Sequence, residues 1–160
     1  FADCMKHLQE RDLITALKEE VQGKKKPLLG ICLGMQALFE DSEENGYTKG
    51  LGFLKGNIVK MSDAAESRLR IPHIGWNSLS FPQKGRLFEG FSREPYVYFV
   101  HSYYLKAEED IVTARTEYGV SIDASVEKGN LFACQFHPEK SSEAGLKILE
   151  NFVRLGREGN

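Results

Sequence analysis

Cys32 lies in Gly30-Ile31-Cys32-Leu33-Gly34, a cysteine counterpart of the Gly-x-Ser-x-Gly turn that lifts a nucleophile clear of a strand end. Such a turn is tight, and the flanking glycines remove Cβ atoms that would collide within it. The turn also sets the sulfur at a helix start, where the dipole is expected to favour thiolate over thiol. The N–H of Leu33 would then face an oxyanion formed on attack. Far along the chain, Phe136-His137-Pro138-Glu139 supplies a base and a group to orient it. Pro138 fixes its own φ and biases His137 toward an extended conformation. Residues two apart in an extended segment point the same way, so Glu139 can accept a hydrogen bond from the imidazole. That bond sets the tautomer and stabilises the imidazolium. The chemistry this predicts is acyl transfer through a thioester, with Cys32 as nucleophile, His137 as base and Glu139 as orienter. Each half also has a plainer reading: a structural cysteine beside two packing glycines, and a surface histidine near a glutamate. Occurring together in an α/β pattern, they point to a triad.

The elements that must hold these groups read as follows. Met5, Leu8, Leu13, Ile14, Leu17 and Val21 recur at helical spacing, with a break near Asp12 and a stop at Gly23. Residues 27–31 read as a short buried strand, and residues 34–40 as the helix after the elbow. Helix, strand, helix in this order suggests an α/β sheet. Strand-like runs follow at 51–61, 76–81, 95–105, 111–117 and 131–136, with turns at Gly119 and at 128–130. Residues 62–70 are polar and expected to form a loop. A last amphipathic helix begins after Ser141-Ser142, with Leu146, Leu149, Phe152 and Val153 as its apolar stripe.

Composition narrows the function classes. In 160 residues, 41% are hydrophobic and 28% charged, and the net charge of −2 argues against a nucleic-acid-binding surface. No apolar stretch is long enough to span a bilayer. The three cysteines lack CxxC spacing, so neither a disulfide framework nor a zinc site is suggested, and a reducing cytoplasm is the expected setting. Cys134 alternates with Phe132 and Phe136 and reads as core, and Cys4, on the first helix, as packing or partly exposed. His7 and His73 have no acidic partner at motif spacing.

Gly-Ile-Cys-Leu-Gly-Met-Gln at 30–36 and Phe-His-Pro-Glu at 136–139 resemble the two signatures of the class I, triad-type glutamine amidotransferases, and the resemblance covers nearly the whole chain. Within that family the chain is most similar to the glutaminase subunits of imidazole glycerol phosphate synthases. The residues that carry this are Met35, where anthranilate and carbamoyl-phosphate synthases commonly have His, together with Pro72-His73-Ile74-Gly75-Trp76-Asn77, Val100-His101-Ser102-Tyr103 and Lys140-Ser141. The resemblance implies a flavodoxin-like three-layer α/β fold with a mixed, mainly parallel central sheet. It implies hydrolysis of L-glutamine to glutamate, without metal or organic cofactor, and transfer of ammonia to a (β/α)8-barrel cyclase subunit. Carried over by position, Gln36 would contact the substrate, Glu44 its ammonium, and the backbone of Ser102 and Tyr103 its carboxylate. Trp76, Asn77 and Tyr98 would lie toward the cyclase. Family members begin with further strands and a Pro-Gly-Val-Gly loop that supplies a second oxyanion donor, and Phe1 aligns just after that loop. The expectation is therefore one amidotransferase domain, residues 1–160, truncated at its N-terminus. Rival readings are another triad amidotransferase such as the anthranilate synthase glutaminase, a γ-glutamyl hydrolase, or a non-catalytic module on the same scaffold.

Overall fold

The computed structural model describes residues 1–62 and 68–159, so most of the polar stretch expected at 62–70 lies outside the described residues. The chain opens with α1 (Ala2–Glu10) and α2 (Leu13–Leu17), and α2 runs on into a π-helical turn, Lys18–Gly23. Asp12 breaks the two helices in a left-handed conformation, φ 53°, and accepts a 2.7 Å bond from the Thr15 hydroxyl. Then come β1 (Leu28–Ile31), α3 (Leu33–Ala37), β2 (Asp41–Ser42), β3 (Thr48–Lys49) and β4 (Gly56–Lys60). The second half contains β5 (His73–Ser78), β6 (Tyr96–His101), β7 (Tyr103–Ala107), β8 (Val112–Glu117), β9 (Ser121–Lys128) and β10 (Leu131–Cys134), and it ends in α4 (Ser142–Glu158).

Three sheets form among the described residues, in the orders β1-β10-β9-β8, β3-β2-β4-β7 and β5-β6. β1 pairs with β10 and β2 with β4 in parallel, and the other ladders are antiparallel. The α/β class and the mixed pairing agree with expectation, while the described ladders have a smaller parallel share. Alternation along β10 sorts the core into two layers. Leu131 and Ala133 join Met35, Leu38 and Phe39 from the α3 side, whereas Phe132, Cys134 and Phe136 join Phe99 and Ile148 from the α4 side. Phe99 and Phe136 meet edge to face at 5.8 Å. Burying each such ring contributes about 2–3 kcal/mol.

Four expectations change. The run 95–105 is two strands, β6 and β7, parted at Ser102 as the chain passes from the β5–β6 ribbon to the sheet of β4. The run 51–61 is a strand only from Gly56. β9 was not expected, because Ser, Asp, Ala and Glu fill much of it. On α4 the stripe is rotated: Gly145, Ile148 and Asn151 are buried, while Leu146 and Val153 are exposed. Two contacts set that face. A Cβ on Gly145 would sit 1.8 Å from the Pro138 carbonyl oxygen, and Asn151 donates to the carbonyls of Leu87 and Glu89 at 2.8 and 3.0 Å.

Candidate active site

Because β1 and β10 run parallel, with Gly30 opposite Ala133 and Ile31 opposite Cys134, both chains leave the sheet at the same end. That end, beyond the carboxyl ends of parallel strands, is where open α/β sheets place ligands. Cys32 follows directly, its N–H donating to Cys134 C=O at 2.8 Å. Its φ of 50° and ψ of −106° are strained for a non-glycine residue, and such strain costs about 1–3 kcal/mol. A Cβ on Gly30 would lie 2.8 Å from the carbonyl carbon and oxygen of Gly34, so the elbow requires glycine there. A Cβ on Gly34 would meet nothing within 4 Å, so the expected need for two flanking glycines holds only for the first.

The Cys32 thiol is half-buried, and burial pushes its pKa up, offset in part by the Leu33 N–H and the Gln135 side chain. Glu139 and Glu44 push it further up. The helix that follows is a five-residue turn, and it does not outweigh desolvation. The expected resting thiolate is thus corrected to a thiol that needs a base. Its Sγ donates to Val100 C=O at 3.9 Å and accepts from Gln135 Nε2 at 3.6 Å.

His137 is extended, φ −101° and ψ 97°, and Pro138 opens a tight turn that brings Glu139 round. Nδ1 of His137 lies 2.5 Å from Glu139 Oε1. The carboxylate accepts, so Nδ1 carries the proton and Nε2 is left as the base. Three anchors fix this turn. His137 N–H donates to Tyr98 C=O at 2.9 Å. The buried Ser141 hydroxyl accepts from Tyr98 N–H at 2.9 Å and donates to His137 C=O at 2.6 Å. Gly145 lets α4 press against Pro138.

Beside the thiol, Cys32, Leu33, Gln36, Glu44, Ser102 and Tyr103 share one cavity of about 250 Å³. Larger depressions, of about 620 Å³ against the start of α4 and about 700 Å³ against α1 and α2, are lined by neither cysteine nor histidine. Glu44 sets a carboxylate at the rim of the same cavity. Gln36 is buried, and its Nε2 donates to Tyr103 C=O at 3.1 Å and to Gln135 Oε1 at 3.0 Å. Its donors are committed within the protein, which leaves its carbonyl oxygen for a ligand. Among the described residues no cluster of three or more His, Cys, Asp or Glu is placed to hold a metal ion.

Behind the cavity His101 and His73 form a buried pair. His101 Nδ1 lies 2.9 Å from Tyr103 C=O and its Nε2 lies 3.0 Å from His73 Nδ1. A carbonyl only accepts, so the proton of His101 is on Nδ1, and its Nε2 must accept from His73 Nδ1–H. His73 Nε2 in turn accepts from Asn77 Nδ2 at 3.4 Å. Both rings are neutral in this arrangement, and burial lowers both from 6.5 to about 4. Asn77 also donates to Glu117 C=O at 2.9 Å, so its amide belongs to this inner network. The outer face of the same ribbon carries Trp76 and Tyr98, ring centroids 6.1 Å apart, with exposed Ile74 and Tyr96. Asn77, expected beside Trp76 and Tyr98, is therefore on the opposite face.

The sequence profile of the family "Glutamine amidotransferase class-I" matches residues 7–155. This chain is a class I glutamine amidotransferase. The amidotransferase is 48% identical over 155 residues to "Imidazole glycerol phosphate synthase subunit HisH 1" of Campylobacter jejuni strain RM1221, covering 97% of this chain and 76% of that one. It is 46% identical to the HisH subunit of Aquifex aeolicus, with 96% and 72% covered. Among solved structures it resembles a crystal structure of a glutamine amidotransferase, with TM-score 0.69, 19% identity, and 96% and 72% covered. A putative GMP synthase component from Thermoplasma acidophilum has TM-score 0.63 at 22% identity, with 94% and 67% covered. These last two speak to the amidotransferase fold alone. Residues that sequence reasoning did not single out for the site are Gln135, Gly145 and the inward-facing His73.

Proposed function

We propose that this amidotransferase is the glutaminase subunit of an imidazole glycerol phosphate synthase, hydrolysing L-glutamine and passing ammonia to a (β/α)8-barrel cyclase subunit in the cytoplasm. The observation that supports this is Cys32 on a strained elbow and the bonded His137–Glu139 pair, each following one of two adjacent parallel strands at the same end of the sheet, in a chain 48% identical to a HisH subunit. In the proposed reaction His137 Nε2 takes the Cys32 proton as the sulfur attacks the carboxamide carbon. The Leu33 N–H receives the oxyanion, and the same proton leaves with ammonia as the thioester forms. Water activated by His137 then releases glutamate and regenerates the thiol. Glu44 would hold the substrate ammonium, the Ser102–Tyr103 backbone its carboxylate, and Gln36 Oε1 its remaining polar edge. Trp76 and Tyr98 would face the cyclase, where large exposed aromatics suit a binding anchor.

The test is Cys32→Ala in the complex with the cyclase. Glutamine-dependent synthesis should vanish while synthesis from added ammonium salt continues. Loss of both activities together would reject Cys32 as nucleophile, and retained glutamine use would reject the reaction.

A further inference from the structure

Gln135 is fully buried at the end of β10, between Cys134 and Phe136 of the core. A leucine would fill such a position with no polar group to satisfy, whereas a buried amide is unfavourable unless every part of it is bonded. Its bonds are specific. Tyr103 C=O can only accept, so the Gln36 amide that meets it at 3.1 Å must present its nitrogen there. That same nitrogen reaches Gln135 at 3.0 Å, so Gln135 must answer with its oxygen. The opposite edge of the Gln135 amide, its Nε2, is thereby turned to the Cys32 sulfur at 3.6 Å, a distance suited to the larger radius of sulfur. An amide that could flip would give either a donor or an acceptor to the sulfur. The Tyr103 carbonyl, acting through Gln36, removes that choice.

We infer that Gln135 is a catalytic residue of the glutaminase, a fixed N–H donor that holds the Cys32 sulfur and stabilises it as thiolate. The inference rests on the reading of Cys32 as nucleophile. While the thiol is intact, its proton points to Val100 C=O at 3.9 Å and Gln135 bonds a neutral sulfur. Once His137 removes that proton, the Val100 carbonyl has nothing to accept and opposes the new charge. The donors that remain on the sulfur are the Gln135 amide and the Leu33 N–H. A bond to an ionised partner is about twice as strong as a neutral one, so the Gln135 bond strengthens during proton removal. Leu33 N–H is needed for the oxyanion once the carbonyl is attacked, which leaves Gln135 as the donor dedicated to sulfur.

The experiment uses the full-length protein with its cyclase and compares wild type, Gln135→Leu and Gln135→Met. Methionine at 135 keeps the length of the side chain and has no N–H or O–H to offer the sulfur, so it tests the chemistry even if leucine disturbs folding. Two quantities are read against pH: the rate of Cys32 alkylation by iodoacetamide, and kcat/KM for glutamine. For both variants the alkylation midpoint should move up by about one pH unit or more. At neutral pH kcat/KM should fall about 10–100-fold, mainly in kcat, with KM within about 2-fold. Variant alkylation profiles that overlay wild type would overturn the role of Gln135 and leave Cys32 standing as nucleophile. Wild-type Cys32 that resists alkylation while glutamine is still hydrolysed would overturn both.

Discussion

Replacing His73 by Phe should flatten the acid limb of the stability curve. The His73 ring stacks on Phe99 at 4.7 Å and on Tyr118 at 4.0 Å, both at 20°, and a phenyl ring can keep those contacts. What it loses are the buried bond to His101 Nε2 and the longer one from Asn77 Nδ2, together worth about 1 kcal/mol at neutral pH. In the fold His73 and His101 take up a proton only near pH 4, against 6.5 ordinarily, because both are buried. Between those values the unfolded chain binds more protons than the native one, so stability falls as pH drops from about 6.5 toward 4. For one histidine shifted this far, the loss between pH 7.5 and pH 5 is about 2 kcal/mol, from about 1.4 kcal/mol per pH unit. Carboxylates held low by cations, such as Glu109 bonded to Lys128 and Glu89 bonded to Arg154, titrate below this window. Urea unfolding followed by circular dichroism at pH 7.5, 6.5, 5.5 and 5 measures the difference. Wild type should lead by about 1 kcal/mol at pH 7.5 and trail His73→Phe by a similar amount at pH 5, where the loss above is absent from the variant. Parallel curves across that range would refute the buried neutral pair.

The elbow glycines should part company under alanine substitution. Gly30→Ala forces a Cβ to 2.8 Å from backbone and should cost about 2 kcal/mol or more in urea unfolding and most of the activity, while Gly34→Ala, with open space at its Cβ, should be neutral or stabilising by up to about 1 kcal/mol. Glu44→Gln removes the carboxylate that lines the cavity beside Cys32, and because the side chain is partly exposed its effect should be an increase of about 10-fold in KM for glutamine at nearly constant kcat. An unchanged KM would remove Glu44 from the substrate site.

The parts of the molecule legible in the sequence were those where local chemistry leaves one answer. Gly30 and Cys32 could be read because a tight strand-to-helix turn tolerates few residue types, whereas Glu139 was expected to meet His137 along an extended segment and meets it instead through the tight turn at Pro138–Lys140. Gln135 was not legible. In an alternating strand it would face solvent, and only the central position of β10, between β1 and β9, buries both of its faces. The stripe on α4 was misplaced for a related reason. Leu146 and Val153 are the more apolar choice, but the contact of Gly145 with Pro138 and the bonds of Asn151 decide which side faces inward. Asn77 was placed with Trp76 on the strength of the family resemblance, and strand alternation separates the two side chains. β9 escaped notice because its buried positions include Ala124 and Ser125, which pack well only once neighbouring strands exist.

β6 has the proposed docking residues on one side and the site on the other. Tyr96 and Tyr98 point outward, yet the backbone of Tyr98 bonds both to the His137 turn and to Ser141, and the Val100 carbonyl receives the Cys32 thiol. Any force on the outer rings is thus delivered to main chain that is bonded to the proposed base and the proposed nucleophile. For mutational mapping, the usual division between binding variants and catalytic variants breaks down along this strand. On the proposed reading, a side chain outside the cavity can act on turnover through its own peptide group, so variants along this strand call for complex formation and turnover to be measured together.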